Sequence, residues 1–295
     1  MAVTISTNVA TLLDPAMAEI FMDGELRAGS LTHAAIFEIL PSATKTIEKA
    51  GYNPPGTYTP KVEGANYSFA PLVRGNTKTY TMSESQLSAE ISSLTYRFLD
   101  RMAIAKFVGQ FGIAKTRKLV GDAWGVISGG FTDVGPDGKS LFATDHTVAT
   151  GAAQSNTGTS ALGEAALQAA IVSFMIGKSP DGVLIGQMPK KLVVAPTKMF
   201  TALELTGSTL SGSDMQINAL RGFGLEVIAV PELEAGDNDD WMLFGEDFKG
   251  EQYVSVGDGP KQFIDQNSGN WKVTDDLVTT QGYTAWRDSF GSNVA

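Results

Sequence analysis

The chain has no cysteine and only two histidines, His33 and His146, in 295 residues. Without thiols there are no disulfides, iron–sulfur clusters, zinc–thiolate sites or cysteine nucleophile, and synthesis and assembly in a reducing cytoplasm are expected. Two histidines are too few for a histidine-rich metal centre. No apolar run approaches the ~20 residues that a membrane helix needs. Met1-Ala-Val-Thr-Ile-Ser also lacks the basic region and apolar block of a secretory signal. The expectation is a protein that neither spans a membrane nor leaves the cell by the usual route.

Nucleotide and hydrolase signatures are missing as well. Gly138-Lys139-Ser140 and Gly177-Lys178-Ser179 resemble the end of a phosphate loop, but the upstream glycine is replaced by Asp133 and Val172. Gly222-Phe223-Gly224 would need glycine at Val227 to complete a dinucleotide fingerprint, and no G-x-S-x-G elbow exists. No cofactor is expected. Asp145-His146 is the one pair that could belong to a triad, against the plainer reading of a hydrogen-bonded loop histidine. Asp237-Asn238-Asp239-Asp240 could hold a hard cation, yet it lacks the glycine and distal glutamate of a calcium loop and reads as a solvated turn between strands.

What is present is a core and a long amphipathic segment. A hydrophobic content of 43% suffices for a folded protein of one large or two ordinary domains. Ser83-Glu84-Ser85-Gln86 has the form of a capping box, and Leu87, Ile91, Leu94, Phe98, Met102 and Ala105 follow at three- and four-residue steps. This spacing predicts a long helix from Ser83, buried through Leu94, Phe98 and Met102, with a bend or break near Gly109, Gly112 and Gly121. Ahead of it, Tyr67 to Val73 and Thr77 to Met82 read as strands joined by a turn at Arg74-Gly75-Asn76. Such a ribbon is marginal in water unless it lies on something, and a neighbouring subunit would serve.

The rest alternates helix and strand. Asp14-Pro15 starts a helix in a short N-terminal part, and Gly51 to Pro60 is an extended linker. Asp137-Gly138 makes a hairpin turn into Ser140-Leu-Phe-Ala-Thr-Asp-His, and Thr150 to Ser160 reads as a boundary. A helix from Ala161 to Ile176 is expected to bury Leu162, Ala165, Ala169 and Val172. Strands are expected at Lys191 to Pro196, Leu225 to Val230 and Trp241 to Phe244, with helices near Lys198 to Leu205 and Asp214 to Arg221. The C-terminal third is strand-like, and the fold class is α+β.

Charge is divided along the chain. Lys61 to Lys118 holds nine bases against four acids, whereas Glu232 to Asp276 holds twelve acids against three bases. No nucleic-acid motif accompanies the basic part. Patches of opposite sign suit contacts between copies, with Lys61, Tyr67, Phe69, Arg74 and Lys78 on one side and Asp237, Asp239 and Asp240 on the other.

The order of ribbon, long helix, Ser140-Leu-Phe-Ala-Thr-Asp-His, Lys191-Leu-Val-Val-Ala-Pro, Asp240-Trp-Met-Leu-Phe and Gln281-Gly-Tyr-Thr-Ala-Trp-Arg-Asp resembles the major capsid proteins of tailed bacteriophages, particularly Mu-type head subunits. That resemblance implies the Hong Kong 97-type fold, with an N-terminal arm (residues 1–50), an extended loop (51–82) and a spine helix in a peripheral domain (83–159). An axial domain (160–245) and a returning peripheral segment (246–295) would complete it. It further implies a non-enzymatic virion protein that forms hexamers and pentamers around double-stranded DNA, made in a bacterial host with a portal protein. Some relatives begin with a charged helical scaffolding segment that is cleaved and this chain shows none, so either it is the processed form or scaffolding is a separate protein, and Met1 favours the latter. Two other readings stand beside it: an encapsulin-like nanocompartment shell, and an α+β hydrolase using Asp145 and His146.

Overall fold

The computed structural model describes residues 15–27, 31–52, 58, 60–67, 69, 74–98, 101–147, 153–210, 217–235, 238–255 and 260–294. In chain order the elements begin with helix α1 (Pro15–Arg27) and strands β1 (Phe37–Ser42), β2 (Thr46–Tyr52), β3 (Arg74–Thr81) and β4 (Ser83–Ile91). Helices α2 (Ser93–Phe98) and α3 (Arg101–Ser128) follow, then β5 (Thr157–Gly158), α4 (Glu164–Met175), β6 (Pro189–Val194), α5 (Met199–Gly207), β7 (Glu226–Ala229) and β8 (Trp241–Gly245). The last four strands are β9 (Gly250–Ser255), β10 (Lys261–Ile264), β11 (Trp271–Tyr283) and β12 (Ser289–Ser292). Two compact units result, one drawn from Met1–Ile47, Tyr80–Ala123 and Glu251–Gly282, the other from Glu48–Thr79, Trp124–Gly250 and Tyr283–Ala295.

The first unit is organised by β11. Its period-two pattern buries Trp271, Val273, Asp275, Leu277 and Thr279 on one face. β4 pairs with it antiparallel from Trp271↔Ile91 to Thr279↔Ser83, and β10 pairs from Ile264↔Trp271 to Lys261↔Thr274. The strand order is β1-β9-β11-β10, with β4 also on β11. Ile104, Val108 and Phe111 of α3 pack on Trp271 and Val273, joined by Phe21 of α1 and by Ala89 and Ile91 of β4. Farther along, Leu119 meets Val254 and Leu277.

Helices α1 and α3 cross with their backbones nearly touching. A Cβ on Gly112 would stand 2.8 Å from the Glu25 amide nitrogen and closer still to the Phe21 carbonyl oxygen, and one on Gly24 would press on the Gly109 backbone. Lys115 Nζ bridges to Glu25 Oε1 at 2.9 Å beside this crossing. Buried Asp275 lies in the same electrostatic neighbourhood: burial pushes its carboxyl above the usual range, Lys115 opposes this, and Glu25 and Asp276 add to it. Buried His33 is fixed by Gln252, whose Nε2 donates to the Leu119 carbonyl at 2.8 Å. The Gln252 Oε1 therefore accepts from His33 Nε2 at 2.9 Å. Burial holds the His33 pKa down, and that hydrogen bond offsets only part of the effect.

Several expectations change here. The helix does not start at Ser83; Ser83–Ile91 is β4, and the Ser83 hydroxyl donates to the Thr279 carbonyl at 3.2 Å instead of capping. Leu87 and Ile91 are four apart, a spacing that satisfies both a helical stripe and one face of a strand, so the period alone does not decide. Leu94 and Phe98 are not core: they are 67% and 83% exposed on the short α2. Nor does α3 break at Gly109, Gly112 or Gly121, since it is one helix of 28 residues. The first two glycines admit α1 rather than bend α3. Arg74-Gly75-Asn76 is not a turn but the start of β3, which pairs with β2; Pro71 and most of the expected first strand lie outside the described residues.

The second unit has a mixed sheet in the order β5-β12-β8-β6-β7. β6 runs parallel to β7 and antiparallel to β8, and β8 pairs antiparallel with β12. Every residue of β8 is buried, as its unbroken apolar run Trp241-Met-Leu-Phe requires. Leu167, Ala170, Ile171 and Phe174 of α4 and Ala202 of α5 cover Leu192, Val194, Trp241 and Leu243. The expected α4 face is corrected: Ala165, Ala169 and Val172 are exposed, because the competing stripe carries larger side chains and buries more apolar area. The expected helix at Asp214 to Arg221 is reduced to a 3-10 turn at Ala219–Phe223, with residues 211–216 outside the described residues. The returning C-terminal segment is shared, β9 to β11 lying in the first unit except for Gly250 and Tyr283, and β12 in the second.

Three variants of the isolated chain test this packing. Gly112→Val should lower its stability by about 3 kcal/mol through overpacking at the crossing, whereas Gly121→Ala, with open space for a methyl, should raise it by up to about 1 kcal/mol; thermal melting separates the two. For Asp275, a raised folded-state pKa means that the folded protein holds the proton longer than the unfolded chain, so stability falls as pH rises past the ordinary value of 3.8 toward the folded value. Asp275→Asn should therefore melt higher than wild type at neutral pH, and the gap should close below pH ~4.

Candidate assembly surface

The residues singled out for contact fall into two groups. Lys61 to Tyr67 and Phe69 are all exposed, Tyr67 at 73% and Phe69 at 90%, and Tyr58 and Val62 are equally uncovered. Lys61 Nζ sits 3.6 Å from the Tyr67 ring centroid, a cation held over a π face in open solvent. Arg74, at the start of β3, forms an ion pair with Glu48, and Lys78 is half-buried on the same strand. The acidic group does not act as a unit. Asp237 lies outside the described residues, Asp239 pairs with Lys198, and Asp240 is buried, accepting the Val294 amide at 2.8 Å. Asp240 is therefore removed from the surface set: its carboxylate holds the C-terminal segment against the chain.

The histidine is a structural bolt. His146 is fully buried, with Nδ1 2.7 Å from Asp137 Oδ2 and Nε2 3.1 Å from Asn156 Oδ1. Its ring stacks on Trp286 at 3.9 Å and 9°. Asn156 Nδ2 donates to the Leu141 carbonyl at 2.8 Å, and Asn156 Oδ1 also accepts the Ala143 amide at 2.9 Å. Burial raises the Asp137 carboxyl, but the hydrogen bond and charge of His146 and the backbone amides outweigh it and hold the pKa below its ordinary value. Asp145, the supposed triad partner, instead pairs with Lys139. A triad needs a hydroxyl or thiol facing the outer imidazole nitrogen. An amide oxygen occupies that place, so this geometry contains no hydrolase triad.

The sequence reading missed a further set of exposed apolar residues in the second unit. Val172 and Ile176 at the end of α4, Leu184 and Ile185 in the turn beyond, and Phe200 and Leu203 on α5 are all exposed. The available signal was Val183-Leu184-Ile185, three consecutive apolar residues between glycines, a run that makes no sense on a surface without a function. Among the described residues no group of three or more acidic, histidine or cysteine side chains could hold a metal ion, and no helix is long and apolar enough to cross a membrane.

A family profile described as phage capsid protein matches residues 89–293. No curated protein matches the sequence. Among solved structures, the capsid of an empty GTA particle is similar at 10% identity and TM-score 0.60, covering 90% of this chain and 91% of that one. A Mycobacterium phage Patience chain is similar at 9% identity and TM-score 0.58, covering 96% and 88%. A phage-related protein from Bordetella bronchiseptica RB50 is similar at 13% identity and TM-score 0.55, covering 96% and 97%.

If the His146 network is a bolt, Asp137→Ala should cost the subunit about 3 to 5 kcal/mol, the usual result of removing one partner of a buried pair. Asp145→Ala, which loses only an exposed ion pair, should change stability by less than about 1 kcal/mol. Denaturant titration measures both. With its depressed pKa, Asp137 stabilises the fold above its ordinary 3.8, and that contribution is lost as pH falls through the folded value.

Proposed function

The chain belongs to the phage capsid protein family, and from that premise we propose that its copies form the hexamers and pentamers of an icosahedral phage head enclosing double-stranded DNA. Its α+β fold is of the Hong Kong 97 type, and its role is that of a structural major capsid protein whose copies build a shell. The observation that carries the proposal is the exposed stretch from Tyr58 to Phe69, whose aromatic and aliphatic side chains lie uncovered. Surface of this kind marks a binding site for another protein.

In this reading residues 51–82 are the extended loop, and Lys61, Tyr67, Phe69, Arg74 and Lys78 rest on a neighbouring copy. Residues 160–245 are the axial domain, residues 83–159 and 246–295 the peripheral domain, and residues 1–50 an arm that carries α1. Asp237 and Asp239 are the acidic contact residues that remain. A separate scaffolding protein and a portal protein are partners, and assembly takes place in the host cytoplasm before the subunit resides in the virion. An acidic wall, net charge −10, suits a DNA container: weak attraction for phosphates lets a genome be packed and ejected without sticking. Function resides in contacts, not in a reaction.

Negative-stain microscopy of the purified protein should show shells, rings or tubes; a monodisperse monomer at all concentrations would overturn the proposal. Replacing Lys61 to Phe69 with a Gly/Ser linker should leave subunit melting nearly unchanged while particles fail to form or break easily in analytical ultracentrifugation. Unfolded aggregate would instead place this segment in the subunit's own core.

A further inference from the structure

Resting on the shell-subunit reading, we propose that the second unit carries the two unlike halves of one contact, and that the turn after α4 of one copy docks on α5 of the next, head to tail around a ring. The first half is compact. After α4 the chain doubles back through residues 177–186, closed by Ser179 N–H to Val183 O at 2.8 Å, Ile185 N–H to Gly177 O at 2.9 Å and a Lys178↔Leu184 bridge. This places Leu184, 63% exposed, and Ile185 beside the uncovered end of α4 at Val172 and Ile176. None of the four serves the unit's own core, which takes Leu167, Ala170, Ile171 and Phe174 from the other side of that helix.

The second half is the outer face of α5. Phe200, 79% exposed, and Leu203 point away from the core, while Ala202 and Thr206 are buried. The two halves sit toward opposite ends of one sheet, since α4 packs beside β12 and α5 beside β6 and β7 in the order β5-β12-β8-β6-β7. A two-fold dimer joins a patch to itself, whereas two different patches repeat in one direction and form a ring when the rotation between copies closes, as the capsomers proposed above require. Exposed Lys178 and Lys190 stand near the first half in sequence, and exposed Glu204 lies on α5, with exposed Arg221 in the 3-10 turn packed against that helix. The occupant is a second copy because every copy of a shell-forming chain carries both halves.

The absence of cysteine makes the test clean. Leu184→Cys with Phe200→Cys in one chain, assembled and then oxidised, should give a ladder of covalent multimers on a denaturing non-reducing gel, ending at the ring size. Each single variant alone should stay monomeric on that gel, and an equal mixture of the two should give dimers only. Because a disulfide needs Cα atoms about 4.4 to 6.8 Å apart, Ile185→Cys and Leu203→Cys are combined in the same way. In parallel, Leu184→Asp and Phe200→Asp should each raise the concentration needed for assembly at least tenfold, with the melting of unassembled subunits unchanged. Self-linked dimers from a single variant would overturn the proposal in favour of a two-fold contact. Particles that form normally with the Asp variants and give no ladder from any Cys pair would overturn the contact while leaving the shell reading intact. Failure of the wild-type chain to form particles would overturn both.

Discussion

The first unit depends on how closely α1 can approach α3. Gly24, Gly109 and Gly112 remove the side chains that would hold the two backbones apart, and only then does Phe21 reach the cluster formed by Ile104, Val108, Phe111 and Trp271. The same crossing places Glu25 within reach of Lys115 and close enough to influence the buried Asp275. Buried Asp275 near the half-buried Glu25–Lys115 pair is poorly placed to add stability, because two carboxylates share the influence of one ammonium. The helices α1 and α3 and the strand β11 each contribute one of these groups.

Between α3 and α4 a polar network works beside the buried Leu141 and Phe142. His146, Asp137 and Asn156 bond one another and the backbone, and Trp286 covers the imidazole. Networks that are fully satisfied specify a unique arrangement, because every alternative leaves a buried donor or acceptor unpaired. A histidine beside an aspartate in sequence is here part of the fold's own packing. Its two nitrogens are both engaged in holding a loop.

Outside these bolts, the exposed apolar residues gather in particular places. The stretch Tyr58 to Phe69, the end of α4 with its turn, and the outer face of α5 leave large side chains in water. A subunit that functions alone is selected against such surface, whereas one that functions in an assembly needs it. In a chain whose family builds capsids, such leftover side chains are the surface available for contact.

The sequence by itself determined the absence of thiol chemistry, the lack of phosphate-loop, dinucleotide and nucleophile-elbow signatures, the α+β class and most strong elements. β6, β8 and α5 stand where their apolar runs put them, α1 starts at Pro15 as proline's fixed φ favours, and Gly138 takes the left-handed turn expected of Asp137-Gly138. These features are local, set by dihedral preference and by neighbours a few residues away. Tertiary structure decided the rest. Ser83 to Ile91 fits a helix or a strand equally by spacing, and only pairing with β11, with Ile91 opposite Trp271, makes it a strand. Two stripes compete on α4, and the sheet selects the one that fills its groove. Among the candidate contact residues Tyr67 and Phe69 lie exposed, while burial of Asp240 required knowing that Val294 returns beside it. A residue's period and charge are written in its neighbours along the chain, but which face is buried depends on partners brought together from far along the sequence.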